Sequence, residues 1–169
     1  MTTARGSLTL IGIDPGYDRV GWAVGRLSHG KILLDEFGCI ETNKKSSLVA
    51  RYQQIDESLS QVLQRHQPSD AGVESLFFYN NQTTAMHVSE ARGVIISCLF
   101  RHGVGFAEYT PLQIKQAVTG NGRADKAAVE KMVKLQLDSS VKIPAKTLDD
   151  TMDAIAILMT HSACRSVSV

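Results

Sequence analysis

Cysteine is scarce in this sequence. Cys39, Cys98 and Cys164 are widely spaced, which excludes the paired thiols of a zinc site or a dithiol redox centre. They read as small hydrophobes in a reducing, cytoplasmic setting. Long apolar runs are missing too. Nothing approaches the roughly 20 residues of a membrane-spanning helix, and "MTTARGS" has no apolar signal core, so no membrane association is expected. Charge of one sign is also absent, with 18 Lys and Arg against 17 Asp and Glu, a net charge of +1. A uniformly basic surface is thereby excluded, and an anionic partner would have to meet a local patch. The five histidines show no metal-ligand spacing, and His161 reads as a surface or core residue. No Gly-x-Ser-x-Gly elbow, Walker phosphate loop or Rossmann fingerprint occurs.

What is present fits one globular domain spanning residues 1–169, with 43% hydrophobic and 21% charged residues. Short apolar runs predict strands at 7–14, 20–27 and 31–40, the last two joined through "SHG" as antiparallel neighbours. Helical spacing of Leu48, Tyr52, Ile55, Leu59, Val62 and Leu63 predicts a helix over 47–65, capped by Ser46 or Ser47. Further strands are expected at 70–78 and 104–109, and helices at 82–101, 111–118, 124–137 and 147–163, with Gly103 ending the second helix. This order predicts an α/β fold, a central five-stranded mixed β-sheet flanked by α-helices.

Four carboxylates interrupt apolar segments. Asp14 closes the first strand and is followed by Pro15 and Gly16, a tight turn in which Gly16 can take a positive φ. Asp14 serves either as a turn acceptor or as a ligand. Asp18, further on, suits the turn or solvent. Glu74 stands between Val73 and "SLFF", so it lies on an exposed sheet face, is paired, or binds a cation. In "TLDDTMDAIAILMTH" (147–161), Thr147 and Asp150 match a capping box. Asp153 shares a helix face with Asp150, and 154–159 is apolar all round, as in a buried helix. Two like charges on one face weaken a helix unless they sit in a wet first turn or a divalent cation joins them. Strand ends and a helix start converge on one rim in an α/β sheet, and oxygen-only ligands suit Mg²⁺ or Mn²⁺. Such a set can hold two cations for phosphodiester hydrolysis. Residues 115–146 carry seven Lys and Arg against three acids, a patch suited to phosphates or to a solvated helix face.

Five stretches in this order, "GIDPG" (12–16), "VESLFF" (73–78), "SEARGV" (89–94), "YTPLQIKQAVTGNGRADK" (109–126) and "DDTMDAIAI" (149–157), make the chain resemble the RuvC-type Holliday junction resolvases. The resemblance implies a ribonuclease-H-like fold and a homodimer that resolves four-way DNA junctions by paired symmetric nicks in recombination and repair. It implies a crossover junction endodeoxyribonuclease with Asp14, Glu74, Asp150 and Asp153 as catalytic, metal-holding acids, and Mg²⁺ or Mn²⁺, two per site when DNA is bound, as cofactor. Asp149 lies outside that matched set. Phe77 resembles the family's base-stacking aromatic; read from the strand pattern alone, Phe77 and Phe78 alternate, so one faces outward or both are core. Lys115 and Lys126 resemble its DNA-contacting lysines, with Arg123 as a further contact in the loop between them. The helix at 82–101 matches the dimer region: Ala85, Val88, Ala91, Ile95 and Cys98 are expected against the sheet, leaving Met86, Val94 and Leu99 for a partner. A branch-migration helicase complex is the further partner the family implies. The near-neutral charge departs from the basic surface expected of a junction binder. A ribonuclease-H-like enzyme acting on RNA–DNA hybrid or structured RNA, and a junction-binding module without activity, remain the competing readings.

Overall fold

The computed structural model describes residues 8–28, 31–76, 82–138, 141–144 and 146–167. Five strands, β1 (Leu8–Asp14), β2 (Arg19–Ser28), β3 (Lys31–Glu41), β4 (Asp70–Glu74) and β5 (Gly105–Tyr109), form one sheet in the order β3-β2-β1-β4-β5. The first three are antiparallel neighbours, whereas β1, β4 and β5 run parallel. Helix α1 (Leu48–His66) connects β3 to β4, and α2 (Gln82–Arg101) connects β4 to β5. After β5 come α3 (Pro111–Thr119), α4 (Lys126–Gln136) and α5 (Asp149–Val167). The five-stranded mixed sheet flanked by helices is the one expected.

Alternation along β1 divides the core between the two faces of the sheet. Ile11 and Ile13 join Ile55, Leu59, Leu63, Ile95 and Leu99 beneath α1 and α2. Leu10 packs on the opposite face with Ile155, Leu158, Ile114 and Val133, under α3, α4 and α5. Helix α5 is the centre of that second layer. Its residues Ala154 to Leu158 are at most 1% exposed, as a helix that is apolar all round requires.

Several local expectations are corrected. Strand β4 ends at Glu74 rather than at 78. Its neighbour β5 ends at Tyr109, which pairs with Glu74, and after the Ser75 amide bonds the Tyr109 carbonyl at 2.9 Å no ladder partner is left, because Thr110 turns into α3 with a capping box. Phe77 and Phe78 lie outside the described residues. Thr147 does not cap α5. Its hydroxyl donates to the Pro144 carbonyl at 2.7 Å, and Leu148 accepts the first helical bonds. Helix α5 then runs to Val167, past the expected 163. Gly16 has no positive φ; a Cβ there would stand 2.3 Å from the Arg19 carbonyl oxygen, so close approach is what demands glycine. Gly103, by contrast, has φ +69° and ends α2 as expected. Leu99 is fully buried rather than left for a partner, because α2 packs on α1 as well as on the sheet. Val94 is half-buried against the same core.

Candidate active site

The same alternation that buries Ile13 and Val73 under α1 and α2 turns Asp14 and Glu74 toward α5. Two residues before each acid stands a glycine, Gly12 and Gly72, and α5 rests on both: a Cβ on Gly12 would lie 2.4 Å from the Ala154 carbonyl oxygen. Gly21, the antiparallel partner of Asp14, is tighter still, since its Cβ would meet the Asp150 carbonyl oxygen at 1.8 Å. The first turn of α5 therefore sits directly on the rim where β1 and β4 end. Asp150 and Asp153, more than 130 residues from Asp14 in sequence, are delivered there by backbone packing.

Burial is the leading influence on the proton affinities of this rim, and neighbouring acids add to it. Asp14 and Glu74 lie close enough for one carboxyl, when protonated, to donate to the other. Burial raises the Asp14 proton affinity well above the usual carboxylate range, and the nearby charges of Glu74, Asp153 and Asp150 raise it further. Glu74 is also pushed up by burial and by Asp153, against the opposing Asp14 hydrogen bond and the positive charges of Lys115 and Lys126. Asp153 is raised by burial, with Lys126 opposing. The remaining acids are held by cations. Asp150 accepts from Arg19 Nη1 at 3.1 Å. Lys126 Nζ lies 3.2 Å from Asp149 and 3.5 Å from Asp153. Beside these groups opens a cleft of about 240 Å³ lined by Glu74, Lys115, Lys126 and Asp153, with Ile114 and Ile157 in its wall.

Among the described residues, no three His, Cys, Asp or Glu side chains stand as a ready cage for a cation. The reason is visible in the pairings: Asp150 turns to Arg19, Asp153 to Lys126, and Asp14 and Glu74 to each other. The donor set nevertheless fits a hard divalent ion. All four groups offer only oxygen, and three of them are carboxyls whose charged forms burial and neighbouring acids disfavour, which a bound cation would offset.

The structure thus brings Asp14, Glu74, Asp150 and Asp153 to one rim, and Glu74 and Asp153 share the cleft with Lys115 and Lys126. Arg123 lies apart, in a separate depression of about 500 Å³ with Asn121 and Lys131. Phe77 lies outside the described residues. His161 is a core residue, fully buried and 2.9 Å from the Tyr109 hydroxyl. Two arginines near the rim were not anticipated. Arg19 carries no signal in sequence, its partner being 131 positions away. Arg51 did carry one. It falls four residues before Ile55 on the buried face of α1, where an arginine needs internal partners. Those partners include Asp18, which serves the turn behind Asp14.

Comparison with known proteins identifies the family and the fold. The family model described as crossover junction endodeoxyribonuclease RuvC matches residues 10–161. The crossover junction endodeoxyribonuclease RuvC of Petrotoga mobilis is 42% identical over 158 residues, covering 94% of this chain and 95% of that protein. The one from Finegoldia magna is 43% identical over 155 residues, covering 91% and 92%. Among solved structures, T. thermophilus RuvC in complex with a Holliday junction substrate superposes with a TM-score of 0.84 at 30% identity, covering 95% of this chain and 96% of that one.

Proposed function

Because the chain belongs to the RuvC family of crossover junction endodeoxyribonucleases, metal-dependent enzymes of ribonuclease-H-like fold that resolve Holliday junctions, we propose that Asp14, Glu74, Asp150 and Asp153 are its catalytic, metal-holding centre. The observation that carries the assignment is the convergence of Asp14, Glu74 and Asp153 on one half-buried rim, where burial first and neighbouring acids second raise the proton affinity of all three. A functional site is where such an unfavourable arrangement is retained.

The cofactor is Mg²⁺ or Mn²⁺, two per site when DNA is bound. When bound, the ions supply Lewis acidity to the scissile phosphate and lower the pKa of water in the site. The protein's own part is to hold carboxylates rigidly, from two strand ends and one helix turn, so that little reorganisation is needed at the reacting phosphorus. Lys115 and Lys126, at the edge of the cleft, neutralise backbone phosphates, and Arg123 contacts the DNA beyond it. Phe77 stacks on bases at the crossover. Products carry 5′ phosphate and 3′ hydroxyl ends.

The reaction is carried out by a homodimer of this one domain, each subunit nicking one of two strands of like polarity. Met86 and Phe100 on α2, 63% and 67% exposed, support a second copy on that helix. A branch-migration helicase complex is the further partner. Among the described residues no helix is long and apolar enough to cross a membrane, and the cytoplasm is the proposed location.

The test uses end-labelled mobile four-way junction, plain duplex and RNA–DNA hybrid, each with and without Mg²⁺ or Mn²⁺. Symmetric paired nicks on the junction, dependent on the cation, are expected. Preferential cutting of the hybrid, or junction binding with no nicking under either cation, overturns the proposal.

A further inference from the structure

Lys115 and Lys126 stand on one flank of the carboxylates. A DNA strand crossing the cleft has phosphates on both sides of the scissile one, and the other flank is formed by the start of β2, the end of β3 and the turn at 42–47. The rim order places it: Asp14 pairs with Gly21 on β2, and Arg19 pairs with Glu41 at the end of β3. With neighbouring strands about 4.8 Å apart, the end of β3 lies roughly 10 Å from the end of β1, on the side away from β4 and β5.

The turn is tied to the loop that follows Asp14. The Thr42 amide donates to the Asp18 carbonyl at 3.0 Å, and its hydroxyl donates to the Tyr17 carbonyl at 2.8 Å. Arg51, 6% exposed, donates from Nε to Thr42 Oγ1 at 2.8 Å and from Nη2 to the Tyr17 carbonyl at 3.1 Å. Its guanidinium also pairs with the Asp18 carboxylate and lies 4.9 Å from the centre of the Tyr17 ring. Within the turn, Asn43 Oδ1 accepts from the Lys45 amide at 3.0 Å, and Ser47 caps α1. This network makes the turn and the loop behind Asp14 one rigid piece.

That piece presents Lys44 and Lys45 to solvent, the Lys44 side chain being 72% exposed. Lys44 reaches Asp18 at only 3.5 Å, and Asp18 already has the buried Arg51 as its partner. With Arg19 engaged by Asp150, Glu41 is, among the described residues, the acid left on this flank to set against two lysines. The flank is therefore net positive in a chain whose overall charge is only +1.

We propose that the turn at 42–47, through Lys44 and Lys45, is a second phosphate-contacting element of the junction interface, on the opposite flank of the carboxylates from Lys115 and Lys126. The inference rests on the resolvase reading and deepens it. The two flanks together grip the backbone on either side of the cut, and the Arg51 network keeps the distance from the lysines to Asp14 constant.

The experiment measures junction affinity against salt concentration, in Ca²⁺, for wild type, Lys44→Ala/Lys45→Ala and the charge-preserving Lys44→Arg/Lys45→Arg. Melting temperatures of all three serve as the folding control. The alanine variant, which removes two lysines from each of two subunits, is expected to lower the log–log salt slope by about 2–4 and to weaken binding at least roughly tenfold at moderate salt, with the arginine variant close to wild type. Unchanged affinity and slope in a folded alanine variant overturns this inference while leaving the resolvase reading intact. A wild-type protein that binds no junction overturns both.

Discussion

Asp14 and His161 are both displaced from their ordinary proton affinities, in opposite senses. Asp14 holds its proton more tightly folded than unfolded, because of burial and then of Glu74. The folded chain therefore binds more protons than the unfolded chain as pH rises above the ordinary aspartate range, and stability without metal is lost as pH climbs through the raised value. Asp14→Asn removes that repulsion. It is expected to raise the melting temperature in EDTA by a few degrees at neutral pH and to give no gain near pH 4 (about the unfolded value). A melting temperature below wild type at neutral pH would count against the crowding. His161 is lowered to about 4 by burial, and among the described residues its Nε2 has no hydrogen-bond partner. Its neutral form stabilises the fold above the ordinary value of 6.5, and that contribution disappears as pH falls from 6.5 through about 4. The difference in unfolding free energy between wild type and His161→Phe is expected to shift against wild type across that window, as read by denaturant titration at each pH. At this scale the acids were legible, because a carboxylate breaks an apolar pattern at a cost. Arg19 was not, since a cation at a strand's start is unremarkable until its distant partner is known.

Helix α5 owes its position to backbone contact, and small residues on the sheet permit it. Gly21→Ala would push a Cβ into the Asp150 carbonyl. It is expected to cost about 3 kcal/mol in unfolding free energy, an overpacking of backbone against backbone, and to depress nicking sharply by lifting the acidic turn off the rim. A variant as stable and active as wild type would show that the turn is not seated where Gly21 is needed. The elements themselves were largely readable, because their hydrophobic periods differ. Strand β4 was overestimated because a strand extends only as far as its neighbour, and the end of β5 is set by the Thr110 cap. Thr147 matched a capping box in spacing alone; α5 begins at Asp149, so the cap position falls on Leu148.

The whole molecule is nearly neutral, so its DNA affinity rests on local placement of charge. That placement was half-visible in sequence. The run from 115 to 146 stands out as basic, whereas the lysines at 44 and 45 gain meaning only when the sheet sets the end of β3 beside β1 and β2. The proposed dimer has its own test. Met86→Glu/Phe100→Glu places charge on exposed α2 positions. It is expected to shift the protein to monomer in sedimentation velocity and to convert paired nicks into isolated ones. A variant that remains dimeric would remove α2 from the interface.

The central claim is that these carboxylates perform the cut. Its most direct measurement is single-turnover nicking of an end-labelled four-way junction in Mg²⁺ by wild type and Glu74→Gln, with junction binding measured in parallel. The expected result is a loss of about 100-fold or more in the nicking rate with binding retained, since even groups one layer out from a metal cost 10–100-fold. A variant that binds and nicks within a few-fold of wild type would contradict it.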